Sequence, residues 1–221
     1  MDNVRGGVER LGITYPVAVD SNLTTWTNFD NHYWPAHYLA DAQGNVRQTH
    51  VGEGGEATTE KHVRELLKQA NPNVSLPAPV FSEVDDDAGT DSPRTPETYL
   101  GSSRASGFAQ GALQNGRHSF SFPSDLKADT FALDGTWKVD SQSIAPADGP
   151  GRLRLSYRGK QVNLVVSGEG DLTWRVNGRT HTAHVSGVPN GMELVRTNEV
   201  GSGVLELQAS PGLELYSFTF G

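Results

Sequence analysis

"NHYWPAHYLADAQGNV", residues 31–46, places a bulky aromatic residue, Trp34, before a proline, Pro35, with an apolar run, a polar turn and a second run after them. "AHYLAD" (36–41) and "NVRQTHVG" (45–52) read as two strands joined through "AQGN", where Gly44 tolerates the positive φ of a hairpin turn. Pro35 sits just before the first strand. On residue type alone a trans bond is the expectation there, because only about 5–6% of X–Pro bonds in folded proteins are cis.

Helical spacing flanks this hairpin. "NVRGGVERLGI" (3–13) puts Val4, Val8 and Leu11 on one face, with Asp2 as the expected N-cap and Gly12 as the stop. "TYPVAVD" (14–20) is extended, and "NLTTWTNF" (22–29) forms a short helix or turn. "ATTEKHVRELLKQA" (57–70) is amphipathic, with Thr58 or Thr59 as its cap and Val63, Leu66 and Leu67 as its stripe. Residues 1–70 therefore read as an α/β segment.

Composition shifts after residue 70. Residues 71–95 are rich in Pro, Ser and Asp, lack a period and contain the acidic run Asp85, Asp86 and Asp87, which marks a linker. Residues 96–221 alternate as strands separated by glycine-bearing turns, from "HSFSF" (118–122) and "TFALDGTWKV" (130–139) to "LELYSFTF" (213–220). Leu153, Leu155 and Tyr157, then Val162, Leu164 and Val166, then Leu172, Trp174 and Val176 each mark a buried face. Asn177–Gly178 is a hairpin signal. About eight such runs without a blade-length repeat indicate a β-sandwich or jelly roll. The fold class is thus α+β, a partial α/β segment followed by an all-β domain.

Bulk properties exclude several functions. A net charge of −8 and a pI near 5.3 argue against nucleic acid, which requires clustered Lys and Arg. With zero cysteines there are no disulfides, no thiolate catalysis and no Cys-based metal site. No apolar run reaches the ~20 residues that cross a bilayer, and "MDNVRGGVER" has no signal-peptide core. Mean hydropathy is −0.48.

Other candidate chemistry is thin. His37 and His50 lie on the two hairpin strands, and His32 and His62 lie nearby, but no third ligand stands at a diagnostic spacing, so no metal is expected. Nucleophile-elbow, Walker and dinucleotide-binding glycine motifs are absent, and "GEGGE" (52–56) is a turn. Two N-x-S/T patterns, Asn22–Thr24 and Asn73–Ser75, carry no weight. Glu169 and Asp171 are read as solvating a turn rather than cleaving a glycoside. Of the aromatic residues Trp137, Tyr157, Trp174 and Tyr216, Tyr157 and Trp174 belong to the core. Trp137, after a Gly–Thr turn, is the expected exposed face for stacking a sugar.

"LGITYPVAVD", "TWTNFDNHYWPAHYLAD" followed by "GNVR", and "HVGEG" before "TTEKHVRELL" together resemble the C-terminal half of an extracytoplasmic thioredoxin-like, TlpA-type thiol-disulfide oxidoreductase. With "TPETYLG" and the terminal "LELYSFTFG", the chain more narrowly resembles the DipZ-like, CcdA- and DsbD-related family of cytochrome c biogenesis proteins. That family follows its redox domain with a β-sandwich like a carbohydrate-binding module. The resemblance makes Pro35 the cis-proline of a substrate-side loop formed by Trp34, Pro35 and Ala36. It implies a C-x-x-C helix that would precede Met1, so no catalytic residue is expected in this chain, which reads as one piece of a larger polypeptide. The remnant 1–70 is expected to be marginal alone or to self-associate. The resemblance also implies an extracytoplasmic location, a CcdA-like membrane electron donor, thiol or disulfide protein substrates and no cofactor. The competing reading is a non-catalytic module whose β-sandwich binds cell-wall or other carbohydrate. A third, an interaction protein recruiting a partner through the linker and an open sheet edge, has no residue pattern behind it.

Overall fold

The computed structural model describes residues 2–81, 94–176 and 178–221, and of Asp2 the backbone alone. The acidic run of the expected linker and Asn177 of the expected hairpin lie outside the described residues. Backbone contacts divide the chain into two units, residues 15–91 and residues 1–14 together with 92–221.

In the first unit, α2 (Thr24–Asn28) precedes an antiparallel hairpin of β1 (Ala36–Ala40) and β2 (Val46–Val51), and α3 (Glu56–Ala70) comes after it. The hairpin register pairs Ala36 with Val51 and His37 with His50, and slips by one residue between Leu39 and Ala40. Asp41 closes the turn, accepting the N–H groups of Gln43 and Asn45 at 3.0 and 2.9 Å. Helix α3 begins earlier than its threonines suggest. Gly55 stands before it in the left-handed region (φ 76°), and no side chain caps the helix. The glycine turn 52–55 supplies the reversal that an N-cap side chain was expected to supply. Residues 77–81, expected as free linker, run along α3. Glu60 accepts the N–H groups of Val80 and Phe81, each at 2.9 Å, while Arg64 bonds Glu60 and donates to the Pro77 carbonyl. The Phe81 N–H and then Arg64 hold the Glu60 carboxyl below its usual range.

The second unit contains helix α1 (Asp2–Arg10) and strands β3 (Thr98–Tyr99), β4 (Gly116–Phe120), β5 (Phe131–Val139), β6 (Ile144–Pro146), β7 (Gly151–Val176), β8 (Arg179–Ala209) and β9 (Leu213–Phe220). Residues 1–14, read from sequence with the α/β segment, group with the strands, and Gly6 faces Val188 on β8. All pairings between these strands are antiparallel, and β5–β6, β6–β9, β9–β7 and β7–β5 close a circuit. Several runs that read as separate strands are continuous. β7 passes through Gly159 and Gly168 with register breaks instead of turns, and Gly168 takes φ 104° with its α-carbon so close to Gly212 that no side chain fits.

The core lies inside this circuit. Phe131, Leu133, Trp137, Ile144, Leu153, Leu155, Val162, Leu164, Leu172, Leu205, Leu213, Leu215 and Phe218 are fully buried. The expected alternation holds along β7, with Val176 only partly covered. By contrast no described residue of 15–81 is buried. On the outer face, His184 of β8 sits between Asp171 and Glu169 of β7, each at 2.8 Å. These carboxylates therefore belong to a strand and a cross-strand clasp, not to a turn. Hydrogen bonds to Asp171 and then Glu169 hold His184 above its ordinary value.

Trp137→Ala is expected to cost about 3–5 kcal/mol in a denaturant titration, as large core truncations do, against at most about 0.5 kcal/mol for the exposed Trp34→Ala. Amide exchange in β1, β2 and α3 should be roughly a hundredfold or more faster than in β5 and the start of β7, since unburied elements open locally. Equal protection in both units would contradict this reading of the core.

Candidate functional site

The loop 29–36 is built from α2 upward. Asp20 accepts the Thr25 N–H through Oδ1 at 2.8 Å and the Trp26 N–H through Oδ2 at 2.9 Å, satisfying the first turn of a five-residue helix. The Thr25 and then Trp26 N–H groups hold the Asp20 carboxyl below its usual range. The Trp26 carbonyl accepts the Asn31 N–H at 3.0 Å. Asn31 in turn fixes the path of the loop. Its amide donates to the Tyr33 carbonyl at 3.0 Å, and its Oδ1 accepts the Tyr38 hydroxyl at 3.0 Å. Phe29 lies 4.9 Å from the Tyr38 ring.

Trp34 emerges from this frame with 76% of its surface exposed, its ring 4.3 Å from that of Trp26. The Trp34–Pro35 bond is cis. The Pro35 carbonyl accepts the Gly52 N–H at 2.9 Å, tying the loop to the far end of the hairpin, where Ala36 opens β1. Among the described residues β1 pairs with β2 alone, so its other edge is open. Trp34, Pro35 and Ala36 thus form one short ledge beside that edge. Asp20, Trp26 and Asn31 were not legible as parts of it. Each acts across several residues through backbone groups, which no periodic pattern records.

The other sequence-derived candidates fare differently. His37 and His50 pair across the hairpin with ring centroids 6.1 Å apart. His50 packs under Gly55, and its Nε2 is buried without a partner. His62 bonds Gln48 instead, and no metal-competent cluster occurs among the described residues. The expected exposure of Trp137 is corrected: its indole is fully buried, donating to the Asp134 carbonyl at 3.0 Å. Gly135 takes φ 93° and bends β5 without ending it, so the residues after it stay inside the sheet and offer no face to a sugar. Tyr157 and Trp174 are core residues as expected, and Trp174 donates to the Leu194 carbonyl at 2.9 Å. Tyr216 bonds Glu214 and Ser167 and lines a cavity of about 280 Å³ with Tyr99, Arg104 and Gln142. Among the described residues no helix is long and apolar enough to cross a membrane.

The chain is similar to several known proteins. Protein DipZ of Mycobacterium bovis and Protein DipZ of Mycobacterium tuberculosis are each 41% identical over 220 residues, which is 99% of this chain and 32% of theirs. The chain therefore spans about a third of the length of these relatives. The thiol-disulfide oxidoreductase YkuV of Bacillus subtilis is 37% identical over 57 residues, 26% of this chain and 38% of its own. Residues 95–221 match the family model described as the thioredoxin like C-terminal domain. The chain is DipZ-like, and it belongs to the family of the thioredoxin-like C-terminal domain.

Proposed function

We propose that this chain forms the substrate-facing, non-thiol side of a DipZ-like thiol-disulfide exchange centre acting outside the cytoplasm, with the ledge Trp34, Pro35 and Ala36 lying against a thiol or disulfide polypeptide. The observation that carries this reading is the exposed Trp34, held on a hydrogen-bonded loop, in a cysteine-free chain 41% identical to DipZ. An exposed indole costs solvation unless something covers it, and the loop beneath prevents it from folding away. Exchange itself requires a thiolate that attacks a disulfide sulfur, forms a mixed disulfide and is displaced by a second thiol. Both thiols come from a C-x-x-C segment outside this sequence, re-reduced by a CcdA-like membrane donor. The β unit is a jelly-roll-type sandwich that serves as an accessory domain, and the open edge of β1 is the place where the strand leading to the dithiol helix pairs.

Insulin reduction tests the reading. The chain alone should show no dithiol-dependent turnover, and measurable turnover would overturn the assignment. Joined behind a C-x-x-C-bearing thioredoxin-type segment, it should turn over. Trp34→Ala should then lower kcat/KM roughly tenfold, equivalent to about 1.4 kcal/mol of lost contact. An unchanged value would remove the ledge from the substrate path.

A further inference from the structure

We propose that Trp26 and Trp34 together form a subsite for an apolar side chain flanked by Lys or Arg in the substrate polypeptide, with Asp20 and Trp26 as positioning residues for Trp34. This rests on the proposed exchange function and deepens it by naming the substrate class. The two rings meet at 4.3 Å with a 52° tilt, so Trp26 braces one side of Trp34 while most of the Trp34 surface stays open. Tyr33, the residue before Trp34, is itself 61% exposed. An open indole accepts aliphatic groups by dispersion and cations through its negative face, and Trp is the best ring for the latter.

Charge selects among possible occupants. Between Leu11 and Val46 the sequence contains no Lys or Arg, while Asp20, Asp30 and Asp41 all lie in this stretch. Asp41 is engaged by Arg47, but the Asp30 side chain is 95% exposed and meets His32 at 3.2 Å. No guanidinium or ammonium in this stretch can receive a carboxylate. A small anionic disulfide such as glutathione disulfide is therefore disfavoured, and a neutral-to-basic polypeptide segment is favoured. The positioning role runs through a chain of hydrogen bonds. Asp20 anchors the Trp26 backbone, the Trp26 carbonyl anchors Asn31, and Asn31 holds Tyr33, the residue preceding Trp34.

The test needs no thiol chemistry. In the chain as it stands, the indole N–H signals of its four tryptophans are followed by NMR while two blocked pentapeptides, KLSLK and its charge-reversed counterpart ELSLE, are added. KLSLK should shift the Trp26 and Trp34 signals saturably and leave those of Trp137 and Trp174 in place. ELSLE should bind roughly fivefold more weakly or worse, the size of one exposed charge interaction. Trp26→Ala should move the Trp34 signal in the free protein and weaken KLSLK, Trp26→Phe should restore most of the affinity, and Asp20→Asn should weaken it less. The Trp137 and Trp174 signals report whether each variant keeps its fold. Equal affinity for both peptides, binding of neither, or an affinity indifferent to Trp26→Ala overturns the proposal. If insulin turnover depends on Trp34 but binding is blind to charge, this inference alone fails. If turnover is absent in the dithiol-bearing polypeptide, the exchange function beneath it fails.

Discussion

Pairing of β9 with both β6 and β7 is the interaction on which the β unit depends. Ile144 of β6 pairs with Leu215, while residues 162–168 of β7 pair with residues 213–220, so the last strand closes what would otherwise be a sheet with open edges. Closure puts Leu213, Leu215 and Phe218 in one core with the buried residues of β5 and β7 and excludes water from all of them. It also demands close backbone approach, met by glycines. Gly168 lies against Gly212, and Gly151 lies so near the Trp137 ring that an added Cβ would stand 2.4 Å from it. Trp137 is thus a packing element of the closure, and its burial is a consequence of that geometry.

Residues 15–81 are organised on another principle. With none of its described residues buried as a whole, this unit is shaped by polar contacts between side chains and backbone, including Asp20 on α2, Asn31 on Tyr33, Asp41 in the hairpin turn and Glu60 on residues 80 and 81. Each such bond contributes about 0.5–1.5 kcal/mol net, so the unit is locally well defined while its total stability stays low. Such a unit leaves Trp34 uncovered, because none of its described residues forms a core in which the indole could be buried.

This division explains what the sequence revealed. Period-two alternation located the buried faces of β7, because inward residues every second position are a direct consequence of the pleat. Glycines were harder: Gly135, Gly159 and Gly168 read as turns but act as bends within strands, since the residue type signals conformational freedom without saying whether the chain reverses. That ambiguity misplaced Trp137. The hairpin was legible because its two runs and turn are contiguous, and Trp34, Pro35 and Ala36 were named through the family resemblance, while Asp20, Trp26 and Asn31 were not legible, because hydrogen bonds across several residues leave no repeat. Residues 77–81 escaped for the same reason, as proline-rich composition conceals their anchor on Glu60.

The two principles meet in the exposed tryptophan. A solvent-facing indole in a unit without a core is favoured only if its backbone is held more strongly than the indole is drawn to collapse. The Asp20–Trp26–Asn31 relay supplies that hold from one side, and the Pro35–Gly52 bond supplies it from the other. Neither anchor uses apolar burial, so neither covers the indole. The acidic surroundings add a second constraint, because the stretch from Leu11 to Val46 carries carboxylates and no Lys or Arg. Loop construction and exposed charge fall to different aspartates, Asp20 holding the helix and Asp30 facing solvent four residues before the indole.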